Sequence, residues 1–266
     1  MTGSAPRSSD GRSVVVVTGA GRGIGREIAL AFARAGSDVV LVGRDPATLE
    51  TTAIDAQSHG ATALVEPTDV TEPDQVDRLA GRTLDAFGRV DGLVANSGIG
   101  GPSGPLWTLT PQEWDSTFAV NVTGVFLCCK AFLPPMLERG AGAVVVMGSM
   151  TGKRPLWGRS PYAASKLALV GLVRTLALEA APSGVRVNLI SPGTVAGERI
   201  EWVFRSQAEG RGIPVERVRE EFLAQIPLGR LVEPEEVADA TVYLALHAPP
   251  AITGIDLNVS AGMVTY

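Results

Sequence analysis

The chain has 266 residues, 45% hydrophobic and 19% charged, which is enough apolar content for a large core and excludes a wholly disordered chain. The formal net charge is -5 and the basic residues are scattered. That argues against nucleic acid as the main partner, because neutralising phosphates takes clustered Lys and Arg.

Residues 1–12 are polar, lack the apolar segment of a secretory signal and read as a flexible tail. Val14–Val17 is a pure β-branched run ending in Thr18-Gly19 and predicts a strand buried on both faces. A helix is expected over Gly25–Ala35 and stops at Gly36. Val39–Val42 predicts a second strand, 46–58 a helix, Ala63–Glu66 a third strand, 73–87 a helix stopped by Gly88, and Leu93–Ala95 a fourth strand. Helical patterning over 111–138 is interrupted near Asn121–Gly124. A strand over Ala143–Met147, a long helix over Tyr162–Ala181 and strands over Val185–Ile190 and Ile255–Val259 complete the series.

This alternation predicts one α/β domain over 13–266: a doubly wound parallel sheet of about seven strands, Rossmann type, with helices on both faces. One stretch breaks the rhythm. Residues 194–226 carry amphipathic segments around Trp202–Gln207 and Val215–Ala224. An insertion at the carboxyl end of a strand lies beside the ligand crevice, so it reads as a substrate lid, with a surface hairpin or subunit contact as the competing reading. No apolar run approaches the ~20 residues of a membrane span, so no membrane partner is expected. The adjacent Cys128 and Cys129 read as small core residues. With His59 and His247 as the only histidines, no metal site is expected. A reducing cytoplasm follows as the default compartment.

The stretch Thr18-Gly19-Ala20-Gly21-Arg22-Gly23-Ile24-Gly25 follows a strand and opens a helix. Glycines permit the tight turn and the close approach of a pyrophosphate, and the helix start offers free N–H groups to it. In this strand–turn–helix context the pattern points to a dinucleotide. The second strand ends Gly43-Arg44 rather than in a carboxylate for the ribose hydroxyls. Arg44 and Arg22 suit a 2′-phosphate, so NADP(H) is favoured over NAD(H). Asp45 keeps NAD(H) open, as a ribose ligand or only a helix cap.

Tyr162 and Lys166 stand four residues apart on one helix face. A tyrosine near its ordinary pKa of ~10 is a poor base at neutral pH, and a neighbouring ammonium lowers it. Ser149 follows a strand, where its hydroxyl can hold a substrate oxygen or merely turn the chain. Asn121 can bind a water linking Lys166 to solvent, or merely kink its helix.

In order and spacing these residues resemble the short-chain dehydrogenase/reductase family, in its 3-oxoacyl-reductase-like subgroup, from about Ser13 to Gly262. Thr18–Gly25 is similar to its TGxxxGxG turn, Asp69-Val70 to its adenine-contacting pair, Asn96-Ser97-Gly98 to the end of NNAG, and Asn121-Val122 to its active-site asparagine. Ser149 lies 13 residues before Tyr162, Tyr162–Lys166 looks like YxxxK, and Pro192-Gly193 like its PG turn. The resemblance implies hydride exchange between nicotinamide and a ketone or secondary alcohol, with Asn121, Ser149, Tyr162 and Lys166 as the catalytic set. It implies that Ser149 positions the substrate oxygen, Tyr162 transfers the proton, Lys166 lowers the phenol pKa and binds the nicotinamide ribose, and Asn121 supports a proton relay. It implies cofactor contacts from Gly19, Arg22, Gly23, Ile24, Gly25, Arg44, Asp69, Val70, Asn96, Gly98, Tyr162, Lys166, Pro192, Gly193 and Val195. It also implies a homotetramer. Ala95, Gly197 and Ser260-Ala261-Gly262 depart from the family's usual residues.

The substrate is a small ketone or alcohol whose structure stays open. Trp107, Met150, Thr151, Arg154, Leu156, Trp157, Val195 and Trp202 are candidate lining residues suiting a hydrophobic or cyclic ketone. Lys153, Arg154 and Arg159 either meet an anionic group or are solvated loop charges. A non-catalytic nucleotide sensor and a cofactor-retaining epimerase or dehydratase are the alternative functions.

Overall fold

The computed structural model describes residues 11–266. In chain order the main elements are β1 (Val14–Thr18), α1 (Gly23–Arg34), β2 (Asp38–Gly43), α2 (Pro46–Ser58), β3 (Ala63–Pro67), α3 (Pro73–Phe87), β4 (Gly92–Ala95), α4 (Pro111–Phe118), α5 (Gly124–Arg139), β5 (Gly142–Met147), α6 (Ser160–Ala180), β6 (Val185–Pro192), α7 (Glu198–Arg211), α8 (Val215–Leu223), α9 (Pro234–Val242) and β7 (Asp256–Val259). The expected tail lies outside the described residues except for Gly11 and Arg12. Arg12 is tied down, its Nε 3.2 Å from Asp38 Oδ1.

The seven strands form one parallel sheet in the order β3-β2-β1-β4-β5-β6-β7. Successive side chains of a strand point to opposite faces, and the two cores follow that rule. Val14 and Val16 join the core under α3, α5 and α6. Val15 and Val17 join the core under α1, α2 and α9. Both faces are covered, so the strand reads as an unbroken apolar run rather than an alternating one.

The helix ends follow local chemistry. Asp45 caps α2 by accepting from Ala47 N–H, Thr110 and Glu113 form a capping box on α4, and Gly88 ends α3 in the left-handed conformation. Between α4 and α5 the chain does not break: Ala119–Thr123 is a π-helical turn carrying Asn121, a device frequent at functional sites. The helical path Pro111–Arg139 therefore spans 29 residues and, by length and composition alone, is apolar enough to cross a membrane. Asn121, Thr123 and Lys130 interrupt the apolar run along the sequence, but the continuous helix joins its pieces. Half of its most apolar window is buried inside the fold, with Cys128, Cys129 and Phe132 in the core.

The 194–226 insertion forms the helices α7 and α8 around a small core of their own, in which Phe204 meets Phe222 edge to face at 5.1 Å. Phe132 is fully buried in α5. Phe132→Ala should lower unfolding free energy by about 3–5 kcal/mol in urea titration of the cofactor-free protein.

Candidate active site

The sheet order reverses between β1 and β4, which both pair through parallel ladders. Their carboxyl ends therefore open a crevice where ligands of such sheets bind. The glycine turn lines it. At Gly25 a Cβ would strike the Gly19 carbonyl oxygen and come within 2.5 Å of Asn96 Nδ2, so only glycine lets α1 start this close to β1. Gly23 has φ +54° with nothing within 4 Å of the space a Cβ would take. The α1 N-terminus has no side-chain cap and no acidic residue in its first turn. Its first N–H groups, Ile24 among them, are thus available to an anion, and the turn fits a pyrophosphate.

Thr18 Oγ1 accepts from the N–H groups of Asn96 and Ser97, both at 2.9 Å, and Asn96 Nδ2 donates to Thr18 O at 2.8 Å. The Asn96 amide is therefore committed to holding the glycine turn. Arg22 and Arg44 are both exposed at this edge. Asp45, left open between two roles, is the α2 cap. One Asp69 carboxylate oxygen accepts from Thr71 N–H and hydroxyl, while Val70 is buried against Gly124. Pro192 ends β6, Gly193 N–H donates to Val259 O, and Val195 bridges to Val232.

The four expected catalytic residues converge beyond this crevice. Lys166 is buried on α6 and donates from Nζ to Met147 O at 2.7 Å. Asn121 donates from Nδ2 to Ile99 O and Ser165 Oγ, both at 3.0 Å, and accepts at Oδ1 from Ile99 N–H. Its side chain thereby locks the 96–99 loop to α6. A Cβ on Gly98 would lie 3.2 Å from Asn121 Oδ1 and 3.4 Å from Lys166 Nζ. Ser149 Oγ accepts from Thr151 N–H at 3.1 Å. The hydroxyl turns the chain and also hydrogen-bonds the Tyr162 phenol.

Tyr162 is half-buried in the midst of this set. Burial by itself raises the phenol. Arg199 first, then Lys166, the Ser149 hydroxyl and Arg159 outweigh it and bring the phenol down to about 8. Burial in turn lowers the Lys166 ammonium, the phenol opposes that, and Arg199 adds to it. A phenol near 8 can give or take a proton close to neutral pH.

Arg199 was not among the expected site residues. It is exposed on the first turn of α7 and its Cζ sits 5.1 Å from the Tyr162 ring centre. Nothing in its local sequence marks it, because the contact exists only once the start of α7 comes to lie beside the first turn of α6. The three basic residues between Ser149 and Tyr162 separate. Lys153 pairs with Asp256 at 2.7 Å and Arg154 donates to Gln225 at 2.9 Å. Arg159 is 2% exposed, stacked over both Tyr162 and Trp202. Of the expected lining residues, Trp202 is therefore at the site. Trp157 lies against Gly210. Trp107, 87% exposed, does not line an enclosed site, since its short 3-10 turn stands outside the core.

Residues 19–264 match the sequence family described as enoyl-(acyl carrier protein) reductase. The chain is 35% identical to a 3-oxoacyl-[acyl-carrier-protein] reductase of Synechocystis sp., covering 95% of this chain and 97% of that protein. It is similar to the crystal structure of an actinorhodin polyketide ketoreductase variant with NADPH, at TM-score 0.91 and 34% identity over 96% of this chain and 98% of the other. It is also similar to the structure of an NAD+-bound xylitol dehydrogenase, at TM-score 0.91 and 28% identity over 94% and 98%.

A spectrophotometric titration at the phenolate absorption band should show a tyrosine titrating near about 8. Tyr162→Phe should remove that component.

Proposed function

The chain belongs to the short-chain dehydrogenase/reductase family, and from that premise we propose that Tyr162 is the proton donor and acceptor of its reaction. It is an oxidoreductase that moves hydride between a nicotinamide dinucleotide and a ketone or secondary alcohol. When bound, the dinucleotide supplies or accepts the hydride. Everything else falls to the chain's own residues. The Ser149 hydroxyl, hydrogen-bonded beside the phenol, binds the substrate oxygen when it enters and turns it toward Tyr162. In reduction the phenol gives its proton to the developing alkoxide, and in oxidation the phenolate takes it. Lys166, anchored on Met147 O, stabilises the phenolate and offers its remaining hydrogens to the nicotinamide ribose. Asn121 keeps the ammonium's surroundings in register, with one Oδ1 lone pair left for a relay water. The observation that carries this reading is a phenol brought to about 8 beside a buried ammonium and the Ser149 hydroxyl.

The pyrophosphate goes to Gly19, Gly23, Ile24 and Gly25, the adenine side to Asp69 and Val70, and the nicotinamide side to Asn96, Gly98, Pro192, Gly193 and Val195. Arg22 and Arg44 are both exposed at this edge, where β2 ends in Gly43 rather than a carboxylate and Asp45 spends one oxygen on the helix cap. This supports NADP(H) as the preferred cofactor. The helices α7 and α8 act as the substrate lid, since from α7 Arg199 reaches the Tyr162 ring and Trp202 stacks on Arg159 beside it. A homotetramer fits the apolar outer faces of α5 and α6, where Phe126 is 49% and Leu178 79% exposed. A cytoplasmic location fits the two unpaired buried cysteines.

Tyr162→Phe should lower kcat by ~10²–10⁴-fold with dinucleotide Kd nearly unchanged, measured at 340 nm and by calorimetry. Because oxidation needs the phenolate, kcat/KM for the alcohol should rise as pH passes upward through about 8, and that for the ketone should fall. Arg44→Ala should cut the NADPH-over-NADH preference by about 10- to 100-fold, the 1.5–3 kcal/mol of a charge-assisted hydrogen bond. An unchanged preference would count against the 2′-phosphate assignment.

A further inference from the structure

The lid side of Tyr162 carries more positive charge than proton transfer uses. Arg159 precedes α6, its backbone oxygen accepting from Ala163 N–H at 2.8 Å, so the side chain leaves from a fixed point. The guanidinium lies between two rings, its Cζ 5.0 Å from the centres of both Tyr162 and Trp202. Gly100 leaves room for it: a Cβ there would approach Arg159 Nη2 to 3.1 Å. Arg159 is 2% exposed, yet its Nε and Nη1 are buried without any hydrogen-bond partner. Arg199 faces the same phenol from the lid at 5.1 Å. Among the described residues, the only acidic group acting on Arg159 is the Tyr162 phenol itself. Burial pushes the guanidinium down to about 10, and Arg199 adds to that.

A buried guanidinium with orphaned donors is costly unless an anion meets it. The phenol does not fill that role, because the guanidinium lies over its ring, Cζ 5.0 Å from the centre, and Nε and Nη1 make no hydrogen bond to its oxygen. The dinucleotide would not fill it either, since its phosphates would be held at the uncapped α1 N-terminus. We propose that the substrate carries a carboxylate, bound end-on by the fork of Arg159 Nη1, one of the orphaned donors, and Nη2, and covered by Arg199. A planar carboxylate matches the guanidinium fork in shape and charge. The flanking Tyr162 and Trp202 rings favour an acid with a flat or cyclic body. Because Arg159 and the phenol are in contact, the acid is compact, with its carboxylate about one side chain from the reacting carbon. This deepens the oxidoreductase reading and rests on it for the identity of the reacting end.

The test separates the two. The full chain, saturated with NADPH, is titrated calorimetrically with benzoate and with benzamide, which share shape but not charge. Benzoate should bind at least tenfold more tightly than benzamide. Arg159→Gln should erase the difference, Arg159→Lys should retain part of it, and Arg199→Gln, at an exposed position, should weaken benzoate severalfold. NADPH affinity, unchanged in each variant, reports that the fold is intact. In parallel, cyclic hydroxy acids and their methyl esters are assayed at 340 nm. A kcat/KM preference for the acid that collapses through KM in Arg159→Gln supports the proposal. Equal affinity for benzoate and benzamide, or a preference that survives loss of both arginines, overturns it even if neutral ketones are reduced. If benzoate binds through Arg159 but no alcohol or ketone is turned over with either cofactor, the carboxylate site stands and the reaction assignment falls.

Discussion

A phenol pressed among cations is the interaction on which this site turns. Removing Tyr162 from water would by itself make it a weaker acid. Arg199, Lys166, the Ser149 hydroxyl and Arg159 reverse that outcome. Each reaches the phenol from a different element: α7, α6, the turn after β5, and the residue before α6. Low dielectric strengthens the contacts of the buried Lys166 and Arg159 most. The fold's task is to bring them within range while keeping water out.

The parallel sheet does this by aligning strand ends. Because β1 pairs with both β2 and β4, the glycine turn and the 96–99 loop leave the sheet side by side. Thr18 and Asn96 tie them together. Asn121, projected from a π-turn, fastens that loop to α6 at Ser165. Lys166 fastens α6 to β5 at Met147 O. The proposed cofactor cradle and the proposed proton-transfer group are thus linked by a continuous run of hydrogen bonds rather than by packing alone.

Much of this was legible along the chain. The strand at Val14 and the helix stop at Gly88 are local facts, set by β-branched burial on both faces and by a glycine that tolerates a left-handed turn. Tyr162 and Lys166 needed only helical spacing to share a face. The bounds of α1 were less clear: the helix begins at Gly23, two residues before the expected start, because the second half of the glycine turn is already helical. The π-turn at Ala119–Thr123 read as an interruption, although the backbone continues through it without a break.

What the sequence by itself determined was the class of sheet, the dinucleotide turn and the tyrosine–lysine pair, since each depends on residues within a few positions of one another. The tertiary structure alone decided which charges act. Lys153, Arg154 and Arg159 are near neighbours in sequence, yet one pairs with β7, one reaches Gln225 and one is buried without a partner. Arg199 reaches the phenol, and Trp202 reaches Arg159, only because the start of α7 lies beside the first turn of α6. A charge's effect depends on distance and burial, and across so many intervening residues neither can be read before the chain has closed on itself.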